Sequence, residues 1–152
     1  FLRSFSFAIC TFCPFTFLLT HRASIAMGKS RSFKDEFSFE ERLKESQDII
    51  AKYPDRVPVV VERYSKTDLP ELEKKKFLVP RDMSVGHFVH FLSSRLHLLP
   101  GKALFVFVKD TLPQTAKLID HVYGSSRDED GFLYMCYSSE QTFGCGSLEK
   151  LL

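Results

Sequence analysis

The side chains in this sequence best suited to chemistry are its cysteines and histidines, and their spacing excludes most of what such residues do. Cys10-Thr-Phe-Cys13 has the two-residue spacing of zinc ribbons and dithiol redox sites, but no second ligand pair follows it. His87, His90 and His97 fall near one side of an expected helix. His97 lies about two turns beyond the first pair, too far to share one ion with both. No metal site and no cofactor are expected. Cys136 sits in an apolar run and reads as a buried thiol. The pattern indicates no Ser-His-Asp or Cys-His pairing and no glycine-rich phosphate loop, so the chain does not read as an enzyme. There remains the run Phe143-Gly144-Cys145-Gly146 near the C-terminus. Glycine lacks a Cβ, so a backbone that carries it passes through clefts closed to other residues. Judged alone, the run reads as an extended tail.

The elements that would carry such a tail follow from composition and periodicity. The chain has 152 residues, 44% of them hydrophobic and 26% charged, as expected for one globular domain with a core. A net charge of +2 is too small to indicate a nucleic-acid partner. Four unevenly placed cysteines do not form a disulfide framework, and a reducing, cytoplasmic setting is the simpler reading. Residues 1–26 are rich in Phe and contain no acidic group, and Met27 is the first methionine. Arg3 before an apolar run is compatible with a signal peptide. The reading favoured here is translated upstream sequence or an extension from a misplaced start, and Pro14 among Ser and Thr makes a poor spanning helix.

From Ser38 the pattern predicts a helix, with Ser38 and Glu41 as a capping box, Leu43, Ile49 and Ile50 as its apolar stripe, and Pro54 as its stop. A shorter helical turn at Ser32–Glu36 precedes it. Residues 57–63 (VPVVVER) read as a strand, with Pro58 at an edge or at the strand's beginning. Residues 76–79 (KFLV) form the second arm of a long-looped hairpin. Ser84 caps a helix to about Leu98, in which Val85, Phe88, Val89, Leu92 and Leu96 share a face. Residues 103–108 (ALFVFV) are apolar on both faces and so need cover on both, which the N-terminal helix is placed to supply. A short helix over 115–123 and a last strand over 131–137 complete an α+β, β-grasp order. The expectation is a four-stranded mixed sheet preceded by two extra N-terminal helices.

Several segments together resemble the autophagy-related ubiquitin-like modifiers (the autophagy-related protein eight family), of the GABARAP and light-chain-three type. They are Lys52–Pro58 (KYPDRVP), Lys74–Pro80 (KKKFLVP), Val85-Gly86 opening a helix, Ala103–Val108, Asp130–Tyr137 (DGFLYMCY) and Phe143-Gly144. The resemblance runs from about Ser32 to Gly144, and TLPQT and MCYSSE look most like plant members. It implies a ubiquitin-like domain over 27–144, with 145–152 a propeptide. A processing cysteine protease would cut between Gly144 and Cys145. Activating and conjugating enzymes would then pass Gly144 as a thioester to the amine of phosphatidylethanolamine. Two acyl chains, each contributing about 0.8 kcal/mol per buried CH₂, then anchor a chain that has no spanning segment after Met27. The setting implied is the cytoplasm, the autophagosome membrane after lipid attachment, and finally the vacuole or lysosome.

The resemblance also implies a groove for cargo receptors carrying aromatic-x-x-aliphatic motifs, which add a strand beside residues 76–79. One pocket would use Glu45, Ile49, Pro58, Val60, Lys76, Leu78 and Phe132. The other would use Phe77, Val79, Pro80, Met83, Phe88 and Phe91. Arg56 and Lys74 to Lys76 would attract acidic residues flanking the motif. Phe77 stands where some relatives have Tyr, and Phe91 where others have Leu, so peptide preference is expected to differ. Phe105, Phe107 and Phe143 would meet the protease and conjugation enzymes. For Leu78, Val79, Phe88, Phe132 and Phe107, plain core packing is as good a reading. The basic residues Lys29, Arg31 and Lys34 would face microtubules or anionic lipid, or form a solvated face. The alternative for the whole chain is a peptide-binding adaptor of the same fold that is never conjugated, and a secreted enzyme is the third reading.

Overall fold

The computed structural model describes residues 31–139 and the residue pair Ala8–Ile9. Helix α1 spans Phe33–Glu36 and α2 spans Phe39–Lys52. The Ser38 hydroxyl accepts the Glu41 N–H, and the Glu41 carboxylate accepts the Ser38 N–H, so the capping box is closed. Strands β1 (Ala8–Ile9), β2 (Arg56–Arg63), β3 (Lys76–Pro80), β4 (Phe105–Phe107) and β5 (Leu133–Ser138) form one mixed sheet in the order β1-β3-β2-β5-β4. β2 runs antiparallel to β3 and parallel to β5. β2 is thus central, and Pro58 is tolerated because pairing with β5 begins only at Val59. The expected four-stranded sheet is present, with β1 as a fifth strand on β3.

Period-two alternation divides the sheet between two cores. Val57, Val59 and Val61 join Phe77, Val79, Leu133, Met135 and Tyr137 beneath α3 (Val85–Arg95) and α4 (Ile119–Ser126). On the other face Val60, Leu78 and Phe132 meet Phe33 and Ile49 from the N-terminal helices. That placement corrects one expectation. The N-terminal helices cover β2, β3 and Tyr134 of β5, while Phe107 of β4 lies beyond that cluster, against a cavity lined also by Lys34 of α1, Ser126, Asp128, Tyr134 and Cys136.

Two helix boundaries also differ from the periodicity. α3 stops at Arg95, and His97 adopts a φ of 50°, outside the helical region. α4 begins at Ile119, because the carbonyls of Thr115 and Lys117 accept the Gly86 and Val85 N–H groups at 2.9 and 2.8 Å and so cap α3. Gly86 favours this close approach, since a Cβ would crowd the Thr115 carbonyl oxygen at 3.2 Å.

A buried polar cluster fastens α2 to the sheet. The Arg42 guanidinium pairs with the Asp130 carboxylate and donates to the Tyr134 hydroxyl at 3.0 Å. That hydroxyl donates to Asp130 at 2.6 Å. Arg42 and Asp130 are 8% and 1% exposed, so neither charge has water to fall back on. Burial first, and the neighbouring Asp130 second, push the Tyr134 phenol above its ordinary range. Next to it, a Cβ on Gly131 would meet the Ser46 hydroxyl at 2.5 Å, and its φ is +83°. Arg42→Ala strands the Asp130 carboxylate, and urea denaturation is expected to show a stability loss of about 3 kcal/mol. A loss below about 1 kcal/mol would contradict this account.

Candidate functional site

β3 is the strand around which the expected groove residues gather. Its alternation sends Lys76 and Leu78 toward α2, and Phe77 and Val79 toward α3. On the α2 side Leu78, Val60, Ile49 and Phe132 are buried together. Glu45 and Lys76 stand half-buried, joined at 2.6 Å, and the Lys76 ammonium lies 5.7 Å from the centres of both the Phe33 and Phe37 rings. On the α3 side Phe77, Phe88 and Phe91 form a ring cluster with centroids 6.0 to 6.2 Å apart. Met83 and Phe91 pack half-buried on this core, and Pro80 is half-buried at the strand end. The core reading thus describes Val79, Phe88, Leu78 and Phe132, while Glu45, Lys76, Pro80, Met83 and Phe91 supply accessible rim.

The basic residues are less available than their sequence implied. Lys75 lies 3.6 Å from Glu36, and Lys76 pairs with Glu45. Arg56 reaches Asp55 at 3.7 Å. An acidic peptide would have to exchange with these carboxylates. Lys34 is also engaged, with Asp128, and its ammonium lies 4.5 Å from the Tyr134 ring centre. Arg31 is exposed, and its carbonyl accepts from the Lys75 ammonium.

Phe105 and Phe107 share the face of β4 turned from α3, with Phe105 half-buried and Phe107 buried. Phe107 lines a cavity of about 400 Å³ together with Glu62, Lys109, Met135 and Cys136. Cys136 is half-buried there, not buried as the apolar run suggested, because it alternates with the core residues Met135 and Tyr137. Glu62 accepts the Phe33 N–H at 2.7 Å and so ties α1 to β2. This tie, the Arg42–Asp130 pair and the Lys34–Asp128 pair were missed from sequence. Each joins residues far apart in the chain, and no local spacing marks them.

His87 and His90 are exposed on α3 and His97 is exposed beyond it. Among the described residues no three His, Cys, Asp or Glu side chains come together as a ligand set. Phe143, Gly144 and Cys145, and the Cys10–Cys13 pair, lie outside the described residues, as does Lys29.

Desolvation opposes ionisation of Asp128, but the hydrogen bond from Lys34, the Glu129 N–H at 2.8 Å and the Lys34 charge together prevail and hold the carboxyl below its ordinary range. The unfolded chain therefore takes up this proton at a higher pH than the folded one. The contribution is whole above about pH 4 and is lost as pH falls through the depressed folded value. Asp128→Asn is expected to flatten the loss of stability below about pH 4, read from urea midpoints across pH. An unchanged profile would contradict the pairing.

The family described as "Autophagy protein Atg8 ubiquitin like" matches residues 41–144. Autophagy-related protein 8i of Arabidopsis thaliana is 69% identical over 114 residues, 75% of this chain and 99% of that protein. Autophagy-related protein 8D of Oryza sativa subsp. japonica is 64% identical over 117 residues, 76% of this chain and 99% of its own. Among solved structures, Plasmodium falciparum Atg8 in complex with a Plasmodium falciparum Atg3 peptide superposes with a TM-score of 0.68 at 43% identity, over 73% of this chain and 98% of that one. Trypanosoma brucei ATG8 gives a TM-score of 0.70 at 40% identity, over 76% of this chain and all of that one.

Proposed function

The chain belongs to the Atg8 family of autophagy-related ubiquitin-like proteins, and we propose that it works as a conjugated modifier whose β3 edge recruits short peptides. The observation that carries the peptide half is the split at β3. Positions i and i+3 of an extended peptide differ by an odd number and so point to opposite faces of the sheet. An aromatic-x-x-aliphatic motif beside β3 therefore sends one anchor toward Leu78, Ile49 and Lys76, and the other toward Phe77, Phe91 and Met83. Backbone bonds to the edge supply affinity and the two anchors supply selectivity. The relative solved with an Atg3 peptide supports a peptide-binding role for this fold. We extend that role here to conjugating enzymes and cargo receptors.

The conjugated half rests on the Phe143-Gly144-Cys145 sequence and family membership. Hydrolysis of the Gly144–Cys145 amide frees the Gly144 carboxylate. An activating enzyme that consumes a nucleoside triphosphate would convert the carboxylate into an acyl nucleotidate with loss of pyrophosphate. An enzyme thiol would displace the nucleoside monophosphate to give the thioester, and the amine of phosphatidylethanolamine would attack that carbonyl, form an amide and expel the thiol. The chain contributes no catalytic group to these steps; it presents the carbonyl, with Phe105 and Phe143 as the surface the enzymes read, whereas Phe107 is buried and forms no part of that surface. The lipid would carry the protein from the cytoplasm to the autophagosome membrane, and turnover would follow in the vacuole or lysosome.

Intact mass of the protein recovered from autophagy-induced cells tests the conjugation. The expected species lacks residues 145–152 and carries one phosphatidylethanolamine, and Gly144→Ala leaves it unlipidated. Recovery of only the unprocessed chain would sink the proposal. For the groove, Lys76→Ala is expected to weaken an acidic-flanked motif peptide by about tenfold, equivalent to about 1.4 kcal/mol, in isothermal titration. Membrane attachment unaffected by Gly144→Ala, with peptide binding lost in Lys76→Ala, would instead identify a non-conjugated adaptor.

A further inference from the structure

Without β1, strand β3 would end the sheet, with one row of backbone N–H and C=O groups unpaired. The chain fills that row itself. Ala8 pairs with Phe77 and Ile9 with Leu78, in parallel. These two β3 residues belong to opposite cores, so β1 lies where the two proposed pockets meet. We infer that β1 is a cis-acting cover: the N-terminal segment adds itself to β3 as an external peptide would, and closes the edge until a stronger motif displaces it. The inference rests on the reading of β3 as the peptide edge and on the chain as given, with residues 1–26 retained.

Its chemistry makes β1 a weak occupant. It pairs over only two residues, so few backbone bonds hold it. Residues 1–26 contain no Asp or Glu, so the segment brings no carboxylate for Lys75 or Lys76, which keep Glu36 and Glu45 as partners. Tethering compensates, because a segment joined to its own domain acts at an effective concentration on the order of millimolar. An incoming peptide with acidic flanks has the charge complementarity that β1 lacks. The cover therefore sets a threshold that favours acidic-flanked motifs over neutral ones. Ala8 and Ile9 precede the family-matched residues 41–144, and three quarters of this chain spans 99% of the Arabidopsis relative, so the shared domain has no need of this strand to fold.

The test compares the full chain, an Ala8→Pro/Ile9→Pro double variant of it, and a chain beginning at Met27. Alternate residues of a parallel strand donate to the neighbour, so proline at both positions removes the N–H with which this pair can bond β3 and leaves the rest of the chain in place. Two readouts are taken: anisotropy titration with a labelled acidic-flanked aromatic-x-x-aliphatic peptide, and amide hydrogen exchange of Lys76–Pro80 without peptide. Both altered chains are expected to bind about tenfold more tightly, as when an edge open a tenth of the time becomes fully open, and to exchange faster at β3. Equal affinity and equal exchange in all three chains overturn the cover and leave the groove reading standing. If none binds the peptide, the groove reading fails, and exchange alone decides: faster in both altered chains upholds the cis pairing, unchanged overturns it.

Discussion

The buried ion pair between Arg42 and Asp130 is the constraint on which the binding face depends. A charged pair this enclosed is held only because each partner satisfies the other, with Tyr134 bridging them. It fixes α2 against the turn leading into β5, and the Asp130 carboxylate also accepts the Phe132 N–H at 3.1 Å. Phe132 in turn packs with Phe33, Ile49, Val60 and Leu78. One polar contact thereby sets where the wall on the α2 side of β3 stands. Losing either partner would leave an unpaired charge in that wall, so the pair is specific in a way that apolar packing alone is not.

The second core has a different logic. Phe77, Phe88 and Phe91 meet as rings around β3 and α3, and apolar contact tolerates exchange of one large side chain for another more readily than a buried charge does. The two sides of β3 thus differ in kind. The α2 side is rimmed by a Lys76–Glu45 pair and ordered by a buried salt bridge, whereas the α3 side is aromatic. A polar rim discriminates by charge and an aromatic cluster by shape, so the strand between them presents two selection rules to one extended ligand. The long connection between β2 and β3 is tied to β5 by Tyr137, whose hydroxyl donates to the Pro70 carbonyl at 2.7 Å and accepts the Leu72 N–H at 3.2 Å. Burial above all pushes that phenol up to about 12, so it remains a protonated donor across the physiological range.

Local signals made much of the fold legible. The Ser38–Glu41 capping box, the Ser84 cap and the alternation of residues 57–61 and 76–79 are written within a few residues of one another, because caps and pleats are short-range geometry. Where local signals failed, longer-range bonds had intervened. Periodicity started α4 at Thr115, but the Thr115 and Lys117 carbonyls are committed to α3. The two-sided apolarity of residues 103–108 called for cover by the N-terminal helix, yet that helix lies over β2 and β3. Cys136 looked buried from its neighbours, but it takes the face shared with Phe107 and a cavity.

What the amino-acid sequence determined by itself is the order and type of the elements and, through several motifs in fixed order, the family. Both follow from residue types at short spacing. Which groove residues face α2 and which face α3 also follows once β3 is a strand, since the pleat alternates every residue. Only the tertiary structure decided that Asp130 and Arg42 share one buried bond, that Lys75 and Lys76 already hold carboxylates, and that Ala8–Ile9 lie along β3. The reason is physical: ion pairing and strand addition join groups separated by tens of residues, and their partners are chosen by the folded surface rather than by neighbouring residues.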